Sequence, residues 1–156
     1  MINIIVIHGP NLNLLGEREA RIYGQMTLID LNILIQNYAK KRAVNAEFFQ
    51  SNHEGALIDF IHAKRSWAQG MVINPGALTH YSYALRDAVS AVALPAVEVH
   101  LSDISNREPF RKISVIKPVC VAQVSGLGAD SYLRGIDILL ERLTLNNNSS
   151  ERNDSN

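Results

Sequence analysis

Histidine gains and loses a proton close to neutral pH, and the 156-residue chain carries five of them. Four stand in segments crowded with Gly, Pro and Asn. These are His8-Gly9-Pro10-Asn11-Leu12-Asn13, Ser51-Asn52-His53-Glu54-Gly55, Asn74-Pro75-Gly76 with Thr79-His80, and Glu98-Val99-His100-Leu101-Ser102. Turns need Gly, Pro and Asn for backbone reasons, but they do not need histidine. Glu98 and His100 are two apart in an extended run, so they share a face and can communicate. The stretch from Leu14 to Met26 adds Glu17, Arg18, Glu19, Arg21 and Tyr23. It is too long for a minimal connection, and loops of this kind often serve as lids. A tyrosine is a poor base at its ordinary pKa of about 10, but a neighbouring cation lowers that value. Arg18 or Arg21 could act in this way and also hold an oxyanion. The set suits proton transfer on a small polar substrate.

Other chemistries lack their signatures. No G-x-x-x-x-G-K-[ST] occurs, and Gly126-Leu127-Gly128 lacks a third glycine and follows the last β-rich run. No G-x-S-x-G presents a serine nucleophile, and the histidines show no H-E-x-x-H or Cys/His spacing. The single cysteine, Cys120, has no internal disulfide partner and reads as core packing in an apolar strand. His53 reads as turn structure and His62 as a helix-surface residue. The expectation is acid–base work with no metal and no organic cofactor.

Charge narrows the partners. Fifteen Lys and Arg balance fifteen Asp and Glu, a formal net charge of zero. A nucleic-acid binder working through a broad basic field is therefore not expected, whereas a local basic pocket for a small acid is compatible with the balance. No apolar run approaches the roughly 18 residues of a membrane span. The opening Met1-Ile2-Asn3-Ile4-Ile5-Val6-Ile7 lacks a basic leader region. A soluble, cytoplasmic, single-domain protein is the expectation.

The elements that must position these residues alternate in kind. Short β-rich runs occur at Asn3–Ile7, Val44–Phe49, Met71–Ile73, Ala96–Val99 and Val119–Val124. Helical periodicity separates them. Thr27 is placed to cap a helix carrying Leu28, Leu31, Leu34, Ile35 and Tyr38, with Asp30 in its first turn. Leu57, Ile58, Ile61 and Trp67 mark a second helix, and Tyr81, Ala84, Leu85, Ala88 and Val89 a third that ends before Pro95. A short helix is expected over Ile104–Phe110, and the last runs through Tyr132, Ile136, Leu139, Leu140 and Leu143. This alternation implies a three-layer α/β sandwich around a five-stranded parallel sheet, with the flavodoxin-like order 2-1-3-4-5. Residues 1–144 form one domain in this reading, and the polar run 145–156 is expected to be a disordered tail. Ligands of such sheets bind beyond the carboxyl ends of the strands, the edge where the four histidines collect.

Several of these segments resemble one family. Gly9-Pro10-Asn11-Leu12-Asn13, Gly16-Glu17-Arg18 and Tyr23-Gly24 are similar to the opening of the type II 3-dehydroquinate dehydratases. The likeness continues through Ser51–Gly55, Asn74-Pro75-Gly76-Ala77, Thr79-His80 and Ala84-Leu85-Arg86-Asp87. Glu98–Ser102, Arg107-Glu108, Phe110-Arg111 and Gly126-Leu127-Gly128 complete it, so it spans Ile2–Leu143 in order. The resemblance implies cofactor-free, reversible dehydration of 3-dehydroquinate to 3-dehydroshikimate through an enolate, in aromatic amino acid biosynthesis. It also implies trimers assembled into a homododecamer. By the same likeness Tyr23 is the base, acting as tyrosinate, and Arg18 the lid residue supporting it. Asn11 steadies the enolate oxygen through a water, and His100 is the general acid, with Glu98 turned toward the same network. Asn74, His80, Asp87, Leu101, Ser102 and Arg111 form the substrate-binding set. Ser102 and the Leu101 backbone hold the carboxylate, and Arg111 a hydroxyl. Ala20, Leu78, Asp103 and Ile113 depart from common family residues. Asp103 matters most, because a carboxylate beside Ser102 would repel an acidic substrate.

Taken singly, each residue has an ordinary structural role: Tyr23 an anchor for its loop, His100 a satisfied strand-end histidine, Arg18 and Arg111 surface ion pairs. Their ordered co-occurrence carries the resemblance. Two other functions compete with it. One is an acid–base isomerase or dehydratase acting on a different small hydroxy-acid. The other is a flavodoxin-like binding or signalling module, although the first strand ends in His8-Gly9-Pro10 and not in the acidic cluster of a receiver domain.

Overall fold

The computed structural model describes residues 1–17 and 25–153. Five strands form its centre: β1 (Ile2–His8), β2 (Val44–Gln50), β3 (Gly70–Asn74), β4 (Ala96–His100) and β5 (Ala122–Ser125). All pairings are parallel, in the order β2-β1-β3-β4-β5. Helices α1 (Leu28–Lys40), α2 (Glu54–Lys64), α3 (Tyr83–Ala91) and α4 (Asp130–Asn153) cover the two faces. This is the flavodoxin-like sandwich that the alternation implied.

The two faces follow from strand alternation. Ile4, Val6, Val72, Val97 and Val99 point to one side and pack with Leu31 and Ile35 of α1 and Tyr132, Ile136 and Leu139 of α4. Ile5, Ile7, Met71, Ile73 and Ala96 point to the other, against Leu57 and Ile61 of α2 and Leu85 and Val89 of α3. Helix α4 sits very close to the sheet. A Cβ on Gly135 would lie 2.8 Å from Val99 Cγ1, so only glycine permits that approach.

Local signals set the helix starts. Thr27 and Asp30 form a reciprocal capping box at α1, each bond 3.1 Å. Ser82 caps α3 by accepting from Leu85 N–H and donates its own hydroxyl to Glu54 Oε2 at 2.6 Å, tying the starts of α2 and α3 together. That cap leaves Tyr81 outside the helix.

Three expectations are revised. The fifth strand starts at Ala122 and not at Val119, because Pro118 opens a 3-10 turn over Lys117–Val119. Cys120 therefore precedes the strand; it packs on the α2/α3 core, and burial followed by the Glu98 charge pushes its thiol up to about 12. The segment Ile104–Phe110 is not one helix but two 3-10 turns, Ile104–Asn106 and Pro109–Lys112, split before Pro109. Helix α4 continues past its last core contact, Leu143, as far as Asn153. The hydroxyls of Thr144, Ser149 and Ser150 donate to carbonyls four residues back in this exposed extension.

Candidate active site

The carboxyl ends of β1, β3 and β4 open into a cavity of about 140 Å³. A volume near 150 Å³ accommodates a single six-membered ring, so the described walls suit one small molecule and not a dinucleotide. Two loops meet tightly at its rim. Gly9 N–H donates to the Asn74 carbonyl at 2.7 Å, and a Cβ on Gly9 would lie 2.4 Å from the Pro75 carbonyl oxygen. Only glycine allows the loop after β1 to pass there. Asn11 follows in the left-handed region, φ 70°, which asparagine tolerates better than most residues. Asn52, in the loop after β2, accepts from the Asn11 N–H at 2.9 Å and fixes that turn.

The chemistry concentrates on β4. Glu98 is fully buried, and His100 Nε2 lies 2.9 Å from its Oε1. Burial pushes the Glu98 carboxyl up. The hydrogen bond and charge of His100, with the hydroxyls of Thr79 and Ser114, outweigh it and hold the group below the ordinary value. Thr79 donates to Glu98 Oε1, Ser114 donates to it at 2.7 Å, and Gln123 Nε2 donates to Oε2 at 2.7 Å. An ionised carboxylate with this many donors orients the imidazole and balances its charge when both ring nitrogens are protonated. His100 borders the cavity, so its proton can reach a bound molecule.

The remaining walls carry imidazole, guanidinium and hydroxyl groups. His80 Nδ1–H donates to the Ile113 carbonyl at 2.7 Å, which leaves Nε2 as the working nitrogen, and its ring meets Phe110 edge-on at 5.7 Å. Arg111 stacks over Phe110 at 5.0 Å and pairs through Nε with Glu108 at 2.6 Å. Leu101, Ser102 and Arg107 complete that wall.

Comparisons with known proteins identify the family. Residues 2–140 match the family model described as dehydroquinase class II. The chain belongs to the class II dehydroquinase family. It is 54% identical over 139 residues to the 3-dehydroquinate dehydratase of Dictyoglomus turgidum, covering 89% of this chain and 96% of that one. It is 49% identical over 142 residues to the Bacillus subtilis 3-dehydroquinate dehydratase, with 91% and 96% covered. The crystal structure of the type II dehydroquinase from Butyrivibrio crossotus superposes with a TM-score of 0.86 at 48% identity, covering 88% of this chain and 97% of that one.

For this dehydroquinase-family chain, the residues singled out in the sequence fall into three groups. Asn11, Asn74, His80, His100, Leu101, Ser102 and Arg111 border one cavity, with Glu98 bonded directly to His100. Asp87 does not join them; it is exposed on α3 and outside the cavity lining of its own chain. Arg18 and Tyr23, with Ala20, lie outside the described residues. Asp103 turns away from the cavity into its own 3-10 turn, accepting from the backbone and hydroxyl of Ser105 and from Asn106. The Ser105 bonds hold its carboxyl below the ordinary value. Ile113 offers His80 only its backbone, and its side chain is exposed.

Sequence reasoning missed the partners of Glu98. Gln123 is the register neighbour of Glu98 on β5, a signal available once strands are aligned. Thr79 sits in the 3-10 turn Gly76–His80 and Ser114 in a loop, and nothing in their spacing announces the contact. Among the described residues no group of three or more His, Cys, Asp or Glu could hold a metal ion. No described helix is long and apolar enough to cross a membrane.

Proposed function

We propose that the chain catalyses reversible anti dehydration of 3-dehydroquinate to 3-dehydroshikimate, a shikimate-pathway step toward aromatic amino acids. The observation that carries the reading is His100, backed by the buried, many-times-bonded Glu98 carboxylate at the wall of a one-ring cavity. Family membership and relatives named 3-dehydroquinate dehydratase support it.

The base, assigned to Tyr23 as tyrosinate, removes a proton next to the ketone. The C–H electron pair moves to the ketone oxygen and forms an enolate. Fixed dipoles stabilise that charge, and Asn11 acts there through a water. The enolate collapses, the carbon–oxygen bond of the hydroxyl breaks, and His100 gives its proton to the departing oxygen, which leaves as water. Tyr23 ends protonated and His100 neutral, and proton exchange with solvent restores both. Arg18 supports the tyrosinate. Ser102 and the Leu101 backbone bind the carboxylate and Arg111 a hydroxyl, with Asn74 and His80 in the same substrate-binding set.

Asp87, exposed on α3 and outside the cavity lining of its own chain, is assigned to the substrate of a neighbouring subunit. A homododecamer of trimers supplies such neighbours and is part of the proposal, as is a cytoplasmic location. The deciding experiment is incubation of the pure protein with 3-dehydroquinate while following the conjugated enone absorbance. Appearance of the enone at neutral pH supports the reading, and its absence overturns it. Turnover of another hydroxy-acid alone would favour the competing dehydratase. No lysine borders the cavity among the described residues, so borohydride with substrate should leave activity intact.

A further inference from the structure

Of the four histidine-bearing segments, 51–55 supplies none of the described residues that line the cavity, yet its Asn52 holds one that does. Asn11 borders the cavity with its backbone at φ 70°, a left-handed conformation that is unfavourable for any residue carrying a Cβ. Such a conformation persists where the surroundings over-determine it. Here the Asn11 N–H donates to Asn52 Oδ1 at 2.9 Å. Gln50, the last residue of β2, donates through Nε2 to the same Oδ1 at 3.1 Å and to the Gly9 carbonyl at 3.3 Å. The Gly9 N–H is gripped from the other side by the Asn74 carbonyl. The Gly9-Pro10-Asn11 turn is therefore clamped between the ends of β2 and β3. On the β2 side the inventory closes: both amide hydrogens of Gln50 Nε2 are used, and both lone pairs of Asn52 Oδ1 are filled. Two donors aimed at one atom require an oxygen there, which sets the direction of the Asn52 amide. Its backbone is held as well, because the Ser51 N–H donates to the His8 carbonyl at 3.1 Å and the His53 N–H to Ser51 Oγ at 3.0 Å.

We propose that Asn52, braced by Gln50, is a positioning residue for Asn11, holding the left-handed turn that keeps Asn11 at the cavity. This deepens the functional reading above and rests on it. Neither Asn52 nor Gln50 touches a reacting atom; both act through the Asn11 backbone. In that reading Asn11 serves the enolate, whose charge is absent from the bound substrate. Loss of its placement therefore lowers kcat more than it raises KM.

The test is steady-state kinetics with 3-dehydroquinate for the wild type, Asn52→Ala, Asn52→Asp, Asn11→Gly and the double variant Asn11→Gly with Asn52→Ala, each checked for folding by circular dichroism. Asn52→Ala removes the acceptor, and kcat should fall about five- to ten-fold with KM within about two-fold. Aspartate keeps an oxygen in the same place, so Asn52→Asp should recover most of the kcat that Asn52→Ala loses. Glycine enters the left-handed region unaided and has no side chain to aim. In the Asn11→Gly background, Asn52→Ala should therefore change kcat by less than about two-fold. A role in general stability alone would give the same loss in both backgrounds. If Asn52→Ala does not fold, Gln50→Met, which keeps the length and removes both donors, decides by the same cycle. A folded Asn52→Ala with kcat within about two-fold of wild type overturns the inference, as does equal loss in Asn52→Asp or additive loss in the double variant. A wild type without turnover overturns the functional reading and this inference together, whereas turnover with unchanged variant kcat overturns this inference alone.

Discussion

His8 and His100 both end a strand and both are buried, yet only His100 borders the cavity, and their surroundings assign them opposite duties. His8 faces the α1/α4 layer, where an amide oxygen and a tyrosine hydroxyl are its partners. Burial dominates there and pushes its pKa down from the ordinary 6.5 to about 4, with the Asn32 bond opposing. It stays neutral and works as a fixed hydrogen-bonding hub. His100 faces the α2/α3 layer and meets a carboxylate that three further side chains keep ionised. The partner behind the ring, more than its burial or its place at a strand end, decides whether a histidine there can carry a proton to a ligand.

Neutralising the group behind His100 should have the largest effect. Glu98→Gln keeps the size and removes the charge, and kcat should fall by about 10²- to 10³-fold with KM little changed, measured by enone formation. A fall of less than three-fold would erase the contrast between the two histidines.

The His8 side of the contrast is open to a stability measurement. Its folded pKa is depressed, so between pH 6.5 and 4 the unfolded chain binds the extra proton. The stability from keeping His8 neutral is fully present above about pH 6.5 and is lost as the pH falls toward 4, in all about 3 kcal/mol. Denaturant unfolding across that range should show a steeper acid loss for the wild type than for His8→Asn. Parallel curves would mean that His8 is not held neutral.

Smaller effects sharpen the picture. Gln123→Ala removes one donor to Glu98 and should lower kcat about three- to ten-fold while the protein stays folded. Asp103→Asn should change KM by less than about two-fold, because Asp103 spends its oxygens on Ser105 and Asn106 and does not border the cavity. A marked drop in KM for Asp103→Asn would show that the carboxylate does act on the substrate.

The architecture was readable in advance where the cause is local. The β/α alternation, the Thr27–Asp30 cap and the clustering of histidines on one sheet edge all follow from neighbours in sequence. Strand β5 is shorter than its apolar composition implies because Pro118 opens a 3-10 turn before it, and α4 is longer than its core-facing pattern implies because its polar extension buries nothing. The site was half legible. Residue types located the wall from Asn11 to Arg111, but the donors around Glu98 come together only through sheet register and loop packing. His8 was visible as a strand-end residue; its pairing with Tyr132, 124 positions away, was not. Asp87 shares a segment with the site residues but not a cavity, because helix α3 carries it outward.

The central claim is that His100 delivers the proton that turns the departing hydroxyl into water. The most direct measurement is the rate of enone formation from 3-dehydroquinate at neutral pH by the wild type and by folded His100→Ala. Rapid formation by the wild type with a loss of about 10²- to 10⁴-fold in the variant is the predicted result. Equal rates for the two proteins, or no enone from either, would contradict the account.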